Sequence, residues 1–327
     1  MVSILITTYN LEKYIEQTLE SVISQETEIP VEILVGDDGS EDGTPDIVRQ
    51  IIDKYPEKNI RLIETPRDKN AKYNRVERSA ANRLKLLEEA KGEYCSFLDG
   101  DDYYTDKSRI ARMAAILDAP ENKDCILCAH NLDLAYEDGR RVPLSNAKVE
   151  RKIDLAEYWR TMFLQSNAVM FRNIYKEHKP EGRLKVSFDD NNIMFWLLRF
   201  GKMYYIPKSM GDYRQVEGSS WSAIDLLKRS ASNMIGYSVE RELAPELRKL
   251  SDTRHYPDLK YLCDHKDELK IENLEPFYTT AVDHGIAEAL DVYRMKGKWI
   301  KKSLRNGKAG HMKARCHRAL MKAMGKF

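Results

Sequence analysis

Short apolar runs alternate with helical stripes through the first third of the chain. Ser3-Ile4-Leu5-Ile6-Thr7-Thr8-Tyr9 is rich in β-branched residues and stops at Asn10, which predicts a first strand. Leu11, Ile15, Leu19, Val22 and Ile23 then recur at helical spacing up to Ser24. Val31 to Val35 predicts a second strand, halted by Gly36-Asp37-Asp38-Gly39-Ser40. Thr44 as N-cap and Pro45 at the first helical position open a helix carried by Ile47, Ile51 and Ile52. Ile60 to Ile63 predicts a third strand, Arg67 to Arg78 a polar and basic mobile loop, and Ala80 to Ala90 a helix. Tyr94 to Leu98 predicts a buried strand that runs straight into Asp99-Gly100-Asp101-Asp102. Strands and helices alternating at this spacing predict an α/β fold with a mostly parallel, doubly wound sheet.

Beyond Asp106 the pattern loosens. It predicts a helix over 110–117, strands over 125–134, 167–171 and 203–206, and a helix over 193–200. From Ala223 onward the stripes are helical, over 224–243, 259–269, 276–293 and 298–324. The expected division is therefore an α/β domain over 1–222 and a helical C-terminal extension over 223–327.

Composition bounds the class. The 327 residues are 42% hydrophobic and 32% charged, enough for a core and a well-solvated surface. No apolar run reaches membrane-span length, and Val2 to Ile6 is too short for a signal peptide, so a cytoplasmic protein is expected. Five scattered cysteines argue against a disulfide framework, and the Cys125/Cys128 pair, set in an apolar run, reads as core packing. The net charge of +1 conceals an asymmetry, because 294–327 holds twelve Lys or Arg and no acid.

The carboxylates carry the candidate chemistry. In open α/β sheets ligands bind beyond the C-terminal ends of the strands, where both acidic turns fall. Asp99, Asp101 and Asp102 repel one another unless a cation joins them, and hard oxygen ligands select Mg²⁺ or Mn²⁺. Tyr9 offers an aromatic face to a planar base, while Asp37 and Asp38 can accept from base or ribose donors. No Gly-rich phosphate loop occurs, so phosphate charge falls to a metal and basic side chains.

Ser3 to Asn10, Val35 to Thr44 and Phe97 to Asp106 together resemble the glycosyltransferases of family 2, with their A-type fold, over roughly 1–222. Asn82-Arg83-Leu84 and Ala90 to Tyr94 resemble the segment before that family's metal strand. The resemblance implies a nucleotide-diphosphate sugar donor bound by Thr8, Tyr9, Asp37, Asp38, Asn82, Asp99, Gly100 and Arg214. It implies Mn²⁺ or Mg²⁺ on Asp101, with Asp102 supporting or sharing it. Phe188-Asp189-Asp190 resembles the family's acidic pair, in which the second acid is the base. Asp190, eleven residues before Gly201, is chosen over Asp189, whose alternative role is to cap the next helix. Gln165, His130 and Trp221 are placed with the acceptor or nearby contacts. The segment Tyr213 to Ser222 departs from the family pattern, because Val216 stands where a ligating His is usual, leaving that position to Glu217 or water, or the metal more loosely held.

The expected function is an inverting, metal-dependent transfer from a UDP-linked sugar to a hydroxyl of a surface glycan or polyprenyl-linked oligosaccharide. A sugar-nucleotide nucleotidyltransferase would need a Gly- and basic-rich loop after strand one, which Asn10-Leu11-Glu12-Lys13 is not. A non-catalytic scaffold would be free to lose Asp101 or Asp190, and both are present. In the tail, Trp299, Ile300 and Leu304, then Met312, Cys316, Leu320, Met321 and Met324, form apolar stripes among basic residues, interrupted by Gly307 and Gly310. A basic amphipathic helix of this kind suits an anionic membrane surface, placing the protein on the inner face of the cell membrane. Packing on the α/β domain and homo-oligomer formation through the same face are the other readings. Nucleic acid is not an expected partner, since no recognition module accompanies the basic block.

Overall fold

The computed structural model describes residues 1–68, 75–215, 225–269 and 298–323. The chain opens β1 (Val2–Thr8), α1 (Ile15–Ile23), β2 (Val31–Asp37), α2 (Thr44–Lys54), β3 (Asn59–Glu64), α3 (Arg75–Glu89) and β4 (Tyr94–Asp99). β5 (Tyr103–Tyr104), α4 (Arg109–Asp118), β6 (Cys125–Tyr136), β7 (Arg141–Pro143), β8 (Arg151–Ile153) and α5 (Leu155–Thr161) follow. Next come β9 (Val169–Arg172), α6 (Asp190–Leu198), β10 (Lys202–Gln215), α7 (Leu226–Leu243), α8 (Arg248–Arg254), α9 (Tyr256–Asp264) and α10 (Lys298–Ala323).

The sheet runs β3-β2-β1-β4-β9-β6-β10-β5, with β7 beside β6 and β8 beside β10. β1 pairs in parallel with both β2 and β4, and β6 with β10, whereas β9 is antiparallel to both its neighbours. Chain order therefore reverses around β1, the point at which open α/β sheets take their ligands beyond the strand ends. Thr8 lies level with Asp37 and Thr7 with Asp99, so register alone brings the two acidic turns to one rim.

Buried strands show why the apolar runs were nearly continuous. Ile4, Ile6, Ile33, Val35 and Leu98 face α1, α2 and α4 in one core, while Leu5, Leu34 and Phe97 face α3, α5 and α6 in the other. Each such aliphatic side chain contributes roughly 1.5–3 kcal/mol by leaving water. Cys125 and Cys128 are buried free thiols, consistent with a packing role.

Several sequence expectations need correction. α2 is capped from Gly43, and Thr44 is its first residue. The Asp42 carboxylate accepts the Thr44 amide (3.0 Å), freeing the Thr44 hydroxyl to accept from Leu11 N (2.7 Å). Residues 75–78, expected in the basic loop, already belong to α3. β10 continues well past Ile206. Register shifts against β6 between Ile206 and Asp212 accommodate Pro207. Asn167 lies in a 3-10 turn over Ser166–Ala168 that precedes β9. β5, β7, β8, α5 and α8 are too short to register as periodic patterns.

The helical extension is tied to the α/β part. α7 gives Val239 and Ala244 to the core behind α6, and Ala231, Met234 and Ile235 to a cluster with α9 and α10. The helix expected over 276–293 lies outside the described residues. α10 runs unbroken through Gly307 and Gly310, which sit where a Cβ would strike Asp252 O and Thr253 Oγ1 of α8. Ile300 and Ala314 are buried, and Leu304 packs on the α7–α9 cluster. Ile300 and Leu304 of the apolar stripe are thus spent on packing, whereas Met312 and Cys316 are exposed, as are Lys301, Lys302, Arg305 and Lys308. Among the described residues no helix is long and apolar enough to cross a membrane.

Candidate active site

At the end of β4 the chain turns sharply through Gly100. Gly100 N donates to Thr7 O (2.8 Å), and a Cβ on Gly100 would meet Leu11, Thr7 and Thr8 at 3.0–3.2 Å. Thr18 of α1 holds the turn by donating to the carbonyls of Gly100 (2.9 Å) and Asp102 (2.7 Å). Close packing therefore favours glycine at position 100.

The three acids of the turn have different fates. Asp99 accepts from Thr7 Oγ1 (2.8 Å) and from Arg83 Nη2 (3.0 Å). Asp102 is buried, accepting from Asn167 Nδ2 (2.6 Å) and from the Arg214 amide (2.8 Å). Burial, then the neighbouring Asp101 and Asp99, push its carboxyl well above the usual range. Asp101 is half-buried and takes no side-chain partner among the described residues. Burial first, and Asp99 second, push it up to about 6. Arg214 donates to Asp101 O (2.7 Å) and Gln17 Oε1 (2.8 Å) and lies between the rings of Tyr14 and Tyr103. It is anchored at the crevice rather than lost in a surface ion pair. Tyr213 beside it lies among Asp102, Asp190, Asp99 and Asp101; burial first and then these carboxylates raise its phenol.

A fourth acidic element comes from α6. Asp189 is its N-cap, accepting from Asn192 N (2.9 Å). Asp190 follows as the first helical residue, and its Oδ1 accepts from Ser166 N (2.9 Å). Surrounding protein raises the Asp190 carboxyl, nearby Arg83 opposes that shift, and Asp99 adds to it. Arg83 is the link. It is buried on α3, pairs with Asp99, donates to Phe188 O (3.2 Å), and faces Asp190 and Asp189 electrostatically.

On the other side of β1 the turn after β2 is self-contained. Asp37 accepts from Gly39 N (3.0 Å), Ser40 N (2.9 Å) and Ser40 Oγ (2.5 Å), so its carboxylate builds the turn. Asp38 pairs with Arg67 (2.5 Å) and with Arg78. Arg67 also covers the Tyr9 ring, its guanidinium carbon 3.5 Å from the centroid. Asn10, at φ 53°, stitches the two turns together through Ser40 Oγ and Glu41 N. Thr8 Oγ1 is buried beside this platform without a hydrogen-bond partner.

The sequence profile of glycosyl transferase family 2 matches residues 3–179, more than half of the 327. The chain belongs to that family. A protein of Mycobacterium tuberculosis is 29% identical over 232 residues, covering 67% of this chain and 60% of its own length. The Staphylococcus aureus poly(ribitol-phosphate) β-N-acetylglucosaminyltransferase TarS is 27% identical over 229 residues, or 64% of this chain and 36% of TarS. Escherichia coli WfaP, a UDP-Glc:α-D-GlcNAc-diphosphoundecaprenol β-1,3-glucosyltransferase, is 39% identical over 104 residues, 32% of this chain and 36% of that one. The match thus spans under two thirds of the length of these relatives. Among solved structures, residues 1–349 of TarS with UDP-GlcNAc superpose at a TM-score of 0.64 and 18% identity, covering 100% of this chain and 92% of that one. A Pyrobaculum calidifontis mannosyltransferase with GDP-Man and Mn²⁺ gives 0.51 at 15% identity, covering 99% and 79%. These superpositions establish the A-type fold.

Within this family 2 frame, some expected site residues turn out to be structural. His130 is fully buried. Its Nε2 accepts from Arg109 Nε (2.8 Å) and its Nδ1 donates to Asn131 O (2.6 Å), while burial and Arg109 hold its pKa well below normal. It cannot reach an acceptor. Asn82 is buried against Gly36, donating to its carbonyl (2.7 Å), so it braces β2. Gln165 is buried at the head of the 3-10 turn that brings Ser166 to Asp190. Trp221, Val216 and Glu217 lie outside the described residues. Arg83, Tyr213, Arg67 and Arg78 join the site without having been singled out. Arg83 stood within a quoted segment and Tyr213 opened another, but neither position marks burial among carboxylates.

Among the described residues no three His, Cys, Asp or Glu side chains gather as a metal cage. A cation held by one or two carboxylates, with the rest of its shell from water and phosphate oxygens, needs no such cage. Asp101 and Asp102 fit that demand, since burial and neighbouring carboxylates, Asp99 for the first and Asp101 and Asp99 for the second, raise both carboxyls.

Proposed function

We propose that the protein is an inverting glycosyltransferase that moves a sugar from a UDP-linked donor to a hydroxyl of a glycan or lipid-linked oligosaccharide. The observation that carries this reading is the charge arrangement around Arg83, with Asp99 of β4 on one side and Asp190 of α6 on the other. It gives a donor-facing carboxylate and a base-competent carboxylate a common positive brace. The UDP moiety is favoured by the donors named for WfaP and the TarS complex, and the acceptor class by the polymer and lipid-linked acceptors in the names of TarS and WfaP.

In the proposed reaction, the platform of Tyr9, Arg67 and Asp38 receives the base and ribose, with Thr8 Oγ1 as an unspent partner. Asp99, oriented by Thr7 and Arg83, faces the ribose. Asp101, with Asp102 behind it, would hold Mn²⁺ or Mg²⁺, which when bound would offset charge on the departing diphosphate. The Asp190 carboxylate takes the proton as the acceptor oxygen bonds to the anomeric carbon and the bond to the diphosphate breaks. Attack opposite the leaving group inverts that carbon. Arg83 opposes the rise that burial imposes on the Asp190 carboxyl. Arg214 and Tyr213 close the diphosphate side.

The exposed lysines of α10 support a salt-sensitive approach to anionic lipid. Incubating the purified protein with UDP-, GDP- and dTDP-sugars plus Mn²⁺, and following nucleotide release, tests the transferase reading. Release from one UDP-sugar, accelerated by an acceptor, is expected; release from none refutes it.

A further inference from the structure

Asp190 sits where two separate pieces of chain meet. One is the first turn of α6; the other is the segment 162–166 after α5, whose Ser166 amide donates to Asp190 Oδ1 (2.9 Å). Arg254, the last residue of α8, joins the two pieces through one guanidinium. Its Nη1 donates to Met162 O (2.8 Å), and its Nη2 donates to Asn191 Oδ1 (2.5 Å), on the residue next to Asp190. Both acceptors are neutral amide oxygens, and a planar fork fixes the angle between them as a flexible ammonium cannot. The guanidinium also lies over the Trp159 ring, its carbon 4.8 Å from the centroid, and over Tyr158 at 5.6 Å.

α8 is itself firmly held. Asp252 accepts from Tyr237 of α7 (2.5 Å) and from Asn306 of α10 (3.1 Å), while Gly310 of α10 packs on Thr253. His255 Nε2 meets Glu240 Oε1 at 2.9 Å, and Glu240 Oε2 accepts from Trp159 Nε1 (3.2 Å). Arg254 is thus carried on a rigid support that belongs to the helical extension.

We propose that Arg254 is a positioning residue for Asp190, tying the first turn of α6 to the segment 162–166 so that the Ser166 amide stays on the carboxylate. The helical extension then completes the catalytic site. The catalytic consequence rests on the reading of Asp190 as the base, whereas the tie itself does not. Burial raises the Asp190 carboxyl, Arg83 lowers it, Asp99 raises it and the Ser166 amide lowers it. The Tyr158 and Tyr213 phenols face the same group. Releasing the Ser166 amide removes a hydrogen bond to the charged form, so the carboxyl rises further.

Arg254→Met and Asn191→Ala cut the tie from either side. Hydrogen exchange over 162–168, read by mass spectrometry without donor or acceptor, follows the tie whatever the chemistry; both variants should lose protection there and keep it over β2 and α2. In transfer assays well below the melting temperature, Arg254→Met should lower kcat roughly tenfold to hundredfold, the scale of an ångström-sized misplacement. UDP affinity should hold, and the acidic limb of the rate profile should move to higher pH. Arg254→Lys, able to make one of the two bonds, should fall between. Asn191→Ala should lose part of the rate, and the double variant no more than Arg254→Met alone. Wild-type exchange and rate in Arg254→Met would overturn the proposal; should that variant not fold, the same result in Asn191→Ala would do so. A fast Arg254→Met beside a dead Asp190→Asn overturns the tie alone, whereas an active Asp190→Asn refutes the base and with it the role given to Arg254.

Discussion

Replacing Arg83 by Met keeps the stem packed on α3 but removes the charge between Asp99 and Asp190. Breaking a fully buried ion pair costs about 3–5 kcal/mol, because the partner is left charged and alone. The Asp99 side chain keeps 30% of its exposure, so water recovers part of that loss. A destabilisation of about 2–3 kcal/mol is therefore expected, or roughly 4–12 °C in melting temperature. The catalytic effect has a definite sign. Burial raises Asp190 while Arg83 lowers it, so removing Arg83 raises its pKa further. A base works deprotonated, so the acidic limb of the rate profile moves to higher pH. Sugar transfer measured from pH 5.5 to 9 should fall more steeply at pH 6 than at pH 8, and Arg83→Lys should recover part of both losses. A variant with the wild-type melting temperature and an unshifted profile would refute the brace.

Three further outcomes follow from the same geometry. Chelation should abolish transfer and Mn²⁺ or Mg²⁺ restore it in the wild type, while Asp101→Asn stays folded and inactive; full activity in chelator would remove Asp101 from metal binding. Gly307→Ala, which in an exposed helix gains up to about 1 kcal/mol, should here cost about 1–3 kcal/mol in chemical denaturation, because the new Cβ meets Asp252 O and Tyr256 Cβ. Sedimentation with anionic liposomes should be salt-sensitive and weaken when Lys301, Lys302, Arg305 and Lys308 are neutralised; salt-resistant binding would show that an apolar face inserts after all.

The strand-end acids were legible because their chemistry is local. A buried strand, a Gly stop and carboxylates within four positions announce Asp99 to Asp102 whatever surrounds them. The distribution of work among those acids was not legible. Asp101 and Asp102 are adjacent, yet only tertiary structure gives Asp102 the Asn167 amide and the Arg214 N–H. Asp37 and Asp38 likewise look equivalent, but one spends its carboxylate on its own turn and the other on arginines from distant segments. Arg83 and His130 show the converse. Each sits in an ordinary helix or strand pattern, and burial against a specific partner makes one a brace and the other an inert core histidine. The tail was only half legible, because an apolar stripe states that something covers it without naming what does; glycines fitted to α8 show packing for its first turns, while Met312 and Cys316 stay exposed.

Rates of sugar transfer for Asp190→Asn and Asp189→Asn, compared side by side with nucleotide affinity, address the base directly. Asp190→Asn should slow transfer by about 10²–10⁴ while nucleotide binding is retained. Asp189→Asn, still able to accept the Asn192 amide as an N-cap, should keep most of the rate. An active Asp190→Asn, or a dead Asp189→Asn beside it, would contradict the assignment of the base and with it the proposed chemistry of the crevice.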